Sequence, residues 1–304
     1  MNDGSDLAII SGSGKLPLLI KKSFKKATYI TFNKSAKIPL DNVIICEFEK
    51  LGFLFESLKK NGIRRIVMAG AINRPQFEQK EMDDYTKSIM PILSAKLVRG
   101  DNELLSFIAG EFERNGYQIV GASEILPELI LEPGFVYGIP YQSLERDVKK
   151  ANKVLKILSS EDIGQGVVVE NGLVLGIETL QGTNELLKFV ERTSSHLRTP
   201  EIGGVFVKRP KINQNLKFDM PVIGPETINC ACSAGLRGLV VSPRSVIVLD
   251  QEKQCINLCS RPQGQHWNGK RVVGGCVLCD NMCFARIRWD SKASPGCARI
   301  PNLR

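Results

Sequence analysis

Between Lys211 and Gly224 the chain reads KINQNLKFDMPVIG, and its one carboxylate, Asp219, follows cations at Lys208, Arg209, Lys211 and Lys217. No other acid occurs between Glu201 and Glu226. Lysines can neutralise the charge of a pyrophosphate while a carboxylate activates water or holds Mg²⁺. The same composition also describes a solvated loop of balanced charges, and local spacing does not decide between the two.

Other chemistry is narrowed by histidine, of which the chain has only His196 and His266. A Ser-His-Asp or Cys-His mechanism and a His-rich zinc centre are disfavoured, which leaves carboxylates, Lys, Arg, backbone amides and an oxygen-loving metal. In SGSGKLP, the amides around Gly12, Ser13 and Gly14 could hold a phosphate at a helix N-terminus, or could form only a tight strand-to-helix turn. The third glycine of a dinucleotide fingerprint is replaced there by Pro17. MAGAINRP puts Asn73 and Arg74 just past a predicted strand, where open α/β sheets present ligand contacts, although a capped surface loop reads the same way. RGDNELL reads as a helix start, with Asp101 or Asn102 as cap and Glu103 at the positive end of the dipole.

The elements that must position these residues alternate. LAII, a glycine-rich turn, a Leu/Ile/Lys helix to Lys26, YITF, VIIC, an amphipathic Leu51 to Lys60 and RRIVMAG run strand and helix in turn, which predicts a mostly parallel, Rossmann-like sheet. A helix over Glu103 to Asn115 and a strand at YQIVGA complete an N-terminal domain over residues 1–132. Pro133, Gly134, Gly138 and Pro140 mark a linker over 133–143. A mixed α/β domain over 144–253 begins with a helix at Leu144 to Leu158. It continues with VVVENGLVLGI, whose Asn171-Gly172 pair predicts a hairpin. A helix after Gly182-Thr183, a strand at Gly204 to Lys208, a helix from Pro225 and strands at LVV and SVIVL complete it.

At 304 residues, 43% hydrophobic and 24% charged, the composition is that of a soluble globular protein of two domains. The net charge of +9 is uneven: residues 254–304 hold eight Lys or Arg and two Asp, leaving 33 cations against 30 acids, or +3, in the rest. Six of the nine cysteines crowd the same tail. The N-terminus MNDGSDLAIISGSGK lacks the pattern of a signal peptide, and no apolar run approaches a membrane span, so a cytoplasmic address is expected.

Taken in order, SGSGKLP, MAGAINRPQF, RGDNELLSFIAGEFERNGYQIVGA, DIGQGVVVENGLVLGIE, QGTNELL and VKRPKINQNLKFDMPVIGPETI resemble the LpxI-type UDP-2,3-diacylglucosamine pyrophosphatases of lipid A synthesis, from about Leu7 to Asp250. The resemblance implies two α/β domains and a Mg²⁺-dependent hydrolase at the cytoplasmic surface of the inner membrane, usually a homodimer, with no nucleic-acid partner. It implies water attack at the α-phosphorus of UDP-2,3-diacylglucosamine, giving UMP and 2,3-diacylglucosamine 1-phosphate. The family's catalytic aspartate falls on Asp219, which is also the candidate metal ligand. Substrate contacts are implied at Gly12, Ser13, Gly14, Asn73, Arg74, Asp101, Asn102, Gly121, Ala122, Gly182, Thr183, Asn184, Lys208, Lys211, Gln214 and Lys217.

The chain departs from that family where relatives carry acids. Gln181-Gly182-Thr183-Asn184 stands for EGTD and Gly100-Asp101-Asn102 for GDD, while an upstream acid and arginine become Asn215 and Lys217. An amide offers Mg²⁺ a carbonyl oxygen without the charge. Residues 254–304 show no helical or strand periodicity and read as a disordered tail produced by a frameshift or fused reading frame. Cys276, Cys279 and Cys283 with Cys259 or His266 lack the paired spacing of a zinc site. Two further readings remain: a nucleotide-binding oxidoreductase, and a nucleic-acid module run by the basic tail.

Overall fold

Strand β1 (Leu7–Ser11) is buried along its whole length, and its side chains alternate between two cores. Leu7 and Ile9 join Leu16, Ile20 and Leu126, whereas Ala8 and Ile10 join Leu54, Leu58 and Phe112. A strand buried on both faces belongs inside a parallel sheet covered by helices on each side. The computed structural model describes residues 3–33, 39–72, 77–78, 81–97, 101–134, 136–137, 144–199, 203–250 and 283–286, with backbone alone at 101–102, 136–137 and 283–286.

After β1 come α1 (Leu16–Ser23), β2 (Thr28–Thr31), β3 (Val43–Ile45), α2 (Leu51–Lys60), β4 (Arg65–Ala69), α3 (Asp84–Leu97), α4 (Asp101–Arg114), β5 (Gln118–Ile119) and α5 (Ala122–Ile125). The five strands form one sheet in the order β3-β2-β1-β4-β5, every neighbour parallel. The chain winds outward from β1 in one direction and then crosses to β4, so the order reverses between β1 and β4. In open sheets of this kind, ligands bind at that switch point, outside the carboxyl ends of the strands.

Three elements differ from the sequence expectation. Helix α1 stops at Ser23, and the Lys21 ammonium reaches forward to hold the turn that follows, donating to the carbonyls of Lys25 and Ala27, both at 2.7 Å. The strand at YQIVGA shrinks to Gln118–Ile119, because Gly121 already caps α5. Helix α3 had no sequence signal: it contains Pro91, and only Thr86 and Leu93 are buried. Capping secures it instead, with Asp83 Oδ1 accepting the Thr86 N–H at 2.8 Å.

The chain divides into two units that are both discontinuous. The first comprises Met1–Leu131, Pro210–Val222 and Ser245–Leu249; the second comprises Glu132–Arg209, Ile223–Arg244 and Asp250–Arg304. The late segments enter the first unit's cores, where Ile247 and Leu249 are buried beside β1 and Met220 and Val222 pack against them. Each buried aliphatic side chain contributes about 1.5–3 kcal/mol, so these returning residues are part of that unit's stability.

The remaining elements are β6 (Val136–Tyr137), α6 (Leu144–Ser160), β7 (Gly166–Glu170), β8 (Leu173–Ile177), α7 (Thr183–Glu191), β9 (Val205–Lys208), β10 (Val222–Ile223), α8 (Pro225–Ser233), β11 (Gly238–Val241), β12 (Ile247–Val248) and β13 (Cys283–Arg286). The second unit's sheet runs β6-β13-β11-β9-β7-β8. β9 with β11 and β6 with β13 are parallel, and the other pairs are antiparallel, so the sheet is mixed. Helix α6 lays Leu144, Val148, Ala151 and Leu155 on Val167, Val169, Val205 and Val207. The hairpin turns where the sequence places it: Asn171 and Gly172 have φ of 49° and 80°, the left-handed pair of a type I′ turn. The buried Asp147 of α6 fastens that turn by accepting the N–H groups of Asn171 and Gly172 at 3.1 and 2.7 Å.

Two strands lie where the sequence showed none, β6 within 133–143 and β13 within the tail. The other tail residues, including Cys259, His266, Cys276 and Cys279, lie outside the described residues. Among the described residues no helix is long and apolar enough to cross a membrane.

Candidate active site

The loops leaving β1 and β4 are sewn together at the carboxyl edge of the first unit's sheet. Gly12 N–H donates to the Ala69 carbonyl at 2.8 Å and Ser13 N–H to Ala71 at 2.7 Å, with Ala71 N–H returning to Ser13 at 3.1 Å. The Ser13 hydroxyl donates to the Ala71 carbonyl as well, at 3.1 Å. A side chain on Gly12 would place Cβ 2.4 Å from the Ala71 oxygen, so the close approach requires glycine there. Two amides that the sequence offered to a phosphate are therefore already bonded to carbonyls. Gly14 remains open, with φ of 99° and no atom within 4 Å of its Cβ direction.

Asp219 reaches this unit through a braced loop. The Gln214 side chain ties it: its Oε1 accepts the Lys211 N–H at 2.8 Å and its Nε2 donates to the Asp219 carbonyl at 2.6 Å. Asp219 N–H donates to the Asn215 carbonyl at 3.0 Å, and Asn215 Oδ1 accepts the Lys217 N–H at 3.1 Å. Asn213, at φ 65°, makes the left-handed bend that this closure needs. The neighbours of Asp219 anchor on opposite faces of the sheet, Phe218 in the core with Ile10 and Ile66, and Met220 in the core with Leu7 and Ile9. The half-buried Asp219 between them is thereby held at the rim of the sheet.

Gly121, just past β5, identifies which rim. A Cβ on Gly121 would lie 3.4 Å from Lys217 Cα and 3.1 Å from Glu124 Oε1, so the Asp219 loop rests on the start of α5 at the carboxyl edge. Ala122 is placed differently: its methyl is buried in the core beside Leu126. Asp101 and Asn102 are the first two residues of α4, and Asn73 and Arg74 lie outside the described residues. Within this unit the structure thus gathers Gly121, Lys211, Gln214, Lys217 and Asp219 around one loop, and the amide of Gln214 is spent inside it.

In the second unit, Lys208 is 4% exposed and does not line a surface cradle. Its ammonium donates to both carboxylate oxygens of Glu178, at 3.3 and 3.2 Å, and to the Thr183 hydroxyl oxygen. Gly182, at φ 85°, caps α7, whose first residues are Thr183 and Asn184. Lys208, Gly182, Thr183 and Asn184 are therefore gathered at one helix N-terminus, where amides and dipole favour an anion. Sequence reasoning missed Glu178; the available signal was an acid directly after β8, separated from QGTN by Thr179 and Leu180.

Cysteine chemistry is disfavoured in the described body. Burial pushes the Cys46 thiol up to about 12 and the Cys232 thiol up to about 11, and raises that of Cys230 too, so none is a thiolate at neutral pH. Among the described residues no group of three or more His, Cys, Asp and Glu gathers to hold a metal. The residues fit Mg²⁺ only in the mode where one carboxylate anchors it and phosphate oxygens and waters fill the other positions.

A Rossmann-like sheet, a second mixed α/β unit, and a carboxylate loop returned from the second half of the chain to the first sheet's carboxyl edge together define the protein's class. The chain belongs to the LpxI family: residues 6–129 match the LpxI N-terminal domain and residues 135–263 the LpxI C-terminal domain. It is 33% identical over 258 residues to the UDP-2,3-diacylglucosamine pyrophosphatase LpxI of Caulobacter vibrioides, across 81% of this chain and 91% of that relative.

Proposed function

We propose that the protein hydrolyses the diphosphate of UDP-2,3-diacylglucosamine, forming UMP and 2,3-diacylglucosamine 1-phosphate for lipid A synthesis. Family membership and the relative's activity support this reading, and the observation that carries it is the braced loop holding Asp219 at the carboxyl edge of the parallel sheet. Asp219 orients the attacking water at the α-phosphorus as general base, and is also the residue that would hold a metal ion. The bond from that phosphorus to the bridging oxygen breaks, and the sugar phosphate leaves. Held by Asp219, Mg²⁺ would supply charge neutralisation on the diphosphate. Lys211 and Lys217 add positive charge from the same loop.

The protein works on the cytoplasmic face of the inner membrane, where its diacylated substrate resides, and as a homodimer. An oxidoreductase reading fits the loops less well, because Gly12 and Ser13 donate their amides to Ala69 and Ala71 instead of leaving them for a dinucleotide. The purified protein incubated with UDP-2,3-diacylglucosamine and Mg²⁺ should release UMP. Asp219→Ala should lower kcat by at least ~10²-fold with little change in substrate affinity, since a positioned base contributes ~10²–10⁴. Turnover of the variant near that of the wild type would return Asp219 to the role of a solvated loop charge.

A further inference from the structure

Helix α6 buries one face on its sheet and turns a cationic face to solvent. Arg146, Lys149, Lys150, Lys153 and Lys156 are all exposed, and at about 100° per residue they fall, with Ile157 and Ser160, within an arc of roughly 120°. No acid of α6 lies in that arc: Asp147 is buried, and Glu145 flanks it, paired with Lys149 at 2.5 Å. Lys150, Lys153 and Lys156 have no ion-pair partner among the described residues. The aliphatic Ile157, 68% exposed, stands among them. Beside the helix lies an apolar shelf. Val174 and Ile177 of β8 pair with Val169 and Val167, which pack under α6, so their side chains are on the α6 side of the sheet. Helix α6 covers β7 and β9 but not the edge strand β8, and Val174 and Ile177 stay 39% and 36% exposed. The turn after α6, with its exposed Ile163, meets the end of β8, since a Cβ on Gly164 would lie 1.9 Å from the Glu178 carbonyl oxygen.

We propose that this face, the cationic stripe of α6 with Ile157, Ile163, Val174 and Ile177 beside it, docks the second unit on an anionic phospholipid surface. This rests on the function proposed above, whose diacylated substrate lies in a membrane, and it assigns the residues that make the contact. Each lysine on an amphipathic helix adds roughly fivefold to the affinity for an anionic leaflet, and aliphatic side chains among the lysines reach into the boundary between headgroups and acyl chains. Like charges at i, i+3 and i, i+4 destabilise a helix, so folding does not account for five cations in one arc. Nucleic acid fits less well, since α6 has no aromatic residue on which a base could stack. A second copy adding a strand is disfavoured too, because the β7–β8 register shifts at Val168 and Val169, and an irregular edge resists strand addition.

The experiment sediments the full chain with vesicles of phosphatidylcholine containing phosphatidylglycerol and with vesicles of phosphatidylcholine alone. UMP release is measured separately from UDP-2,3-diacylglucosamine in detergent micelles and in the anionic vesicles. The wild type binds the anionic vesicles at least ~10-fold more tightly than the neutral ones, and rising salt releases it as the surface charge is screened. The triple change Lys150→Glu, Lys153→Glu and Lys156→Glu lowers that binding ~10²-fold or more, whereas changing the same three lysines to Arg preserves it. Ile157→Ser lowers it about fivefold. All three variants keep the wild-type melting temperature and release UMP from micelles at the wild-type rate, while the Glu variant loses release from vesicles. Wild-type vesicle binding by the Glu variant, equal binding of the wild type to neutral and anionic vesicles, an equal loss in the Arg variant, or duplex DNA bound more tightly than the anionic vesicles would each overturn the proposal. A wild type that releases no UMP from micelles refutes the hydrolase reading instead, and vesicle binding still decides the role of this face.

Discussion

Gln214 donates its side-chain amide to the backbone carbonyl of Asp219 at 2.6 Å, and so links the two ends of the loop that presents this carboxylate. Gln214→Ala removes this brace and the acceptor for Lys211 N–H. We expect kcat for UMP release to fall ~10-fold with a smaller change in KM, since small misplacements of a reacting group cost up to ~10². Gln214→Glu, which presents an acceptor to the Asp219 carbonyl, should be worse than Ala. An unchanged kcat in both would mean that the loop holds its shape without the brace.

The contact between Gly121 and Lys217 gives a graded test. Gly121 has an ordinary φ of −76°, so backbone conformation does not demand glycine. Space does: an alanine methyl meets Lys217 Cα at 3.4 Å and Glu124 Oε1 at 3.1 Å, and only the flexible carboxylate can yield easily. Gly121→Ala should therefore be tolerated within about threefold in kcat, while Gly121→Val should lower it ~10²-fold by lifting the loop. Equal activities would show that Lys217 does not rest on this position.

Hydrolysis in H₂¹⁸O should place the heavy oxygen in UMP and none in the sugar phosphate. Attack at the α-phosphorus transfers the water oxygen to the nucleotide, whereas attack at the β-phosphorus breaks the other P–O bond. Mass spectrometry of both products reads the answer directly, and label in the lipid phosphate would overturn the mechanism even with UMP formed.

Asp83 supplies a pH-dependent stability. Burial pushes its carboxyl up, but hydrogen bonds from Thr86, Phe53 and Gly52 outweigh this and hold it below the ordinary value. Its oxygens bridge two helix starts, accepting Thr86 N–H of α3 at 2.8 Å and Phe53 N–H of α2 at 3.2 Å. The folded form has the lower affinity for the proton, so the stabilisation is full above the usual aspartate range near 4 and is lost as pH falls below it. Asp83→Ala should cost ~1–2 kcal/mol at neutral pH. Its melting-temperature deficit should shrink progressively below about pH 4; a deficit that persists there would discount the carboxylate.

A chain ending at Asp250 should be less stable. Cys283–Arg286 pairs antiparallel with Gly238–Val241, so its removal bares the edge of β11, and an exposed edge invites association. A lowered melting temperature and concentration-dependent light scattering are expected. An unchanged melting temperature would assign β13 no structural role.

Much of this was legible because local pattern and tertiary environment agree. The continuous apolar run at Leu7 to Ile10 marks a strand buried on both faces, and Asn171-Gly172 marks the β7–β8 turn by backbone chemistry alone. Helix α3 was hidden because its stripe is thin, Pro91 interrupts it, and its start depends on Asp83, which also serves another helix. The engagement of the Gly12 and Ser13 amides is set by residues nearly sixty positions away, Ala69 and Ala71. The bond from Lys208 to Glu178 spans thirty residues. Candidate residues are visible as types in a sequence, but which donors are already spent depends on such distant pairings.

The return of Ser245–Leu249 to the first unit also sets an order of events during synthesis. Residues 1–131 emerge from the ribosome without Ile247 and Leu249, two side chains of the core around Leu7 and Ile9. At ~5–20 residues per second, roughly 6–24 s separate the emergence of Leu131 from that of Leu249. Throughout that interval the part of the apolar core that Ile247 and Leu249 later cover stays open. The loop bearing Asp219 emerges late in that interval, so its carboxylate reaches the sheet only well after residues 1–131 have been made.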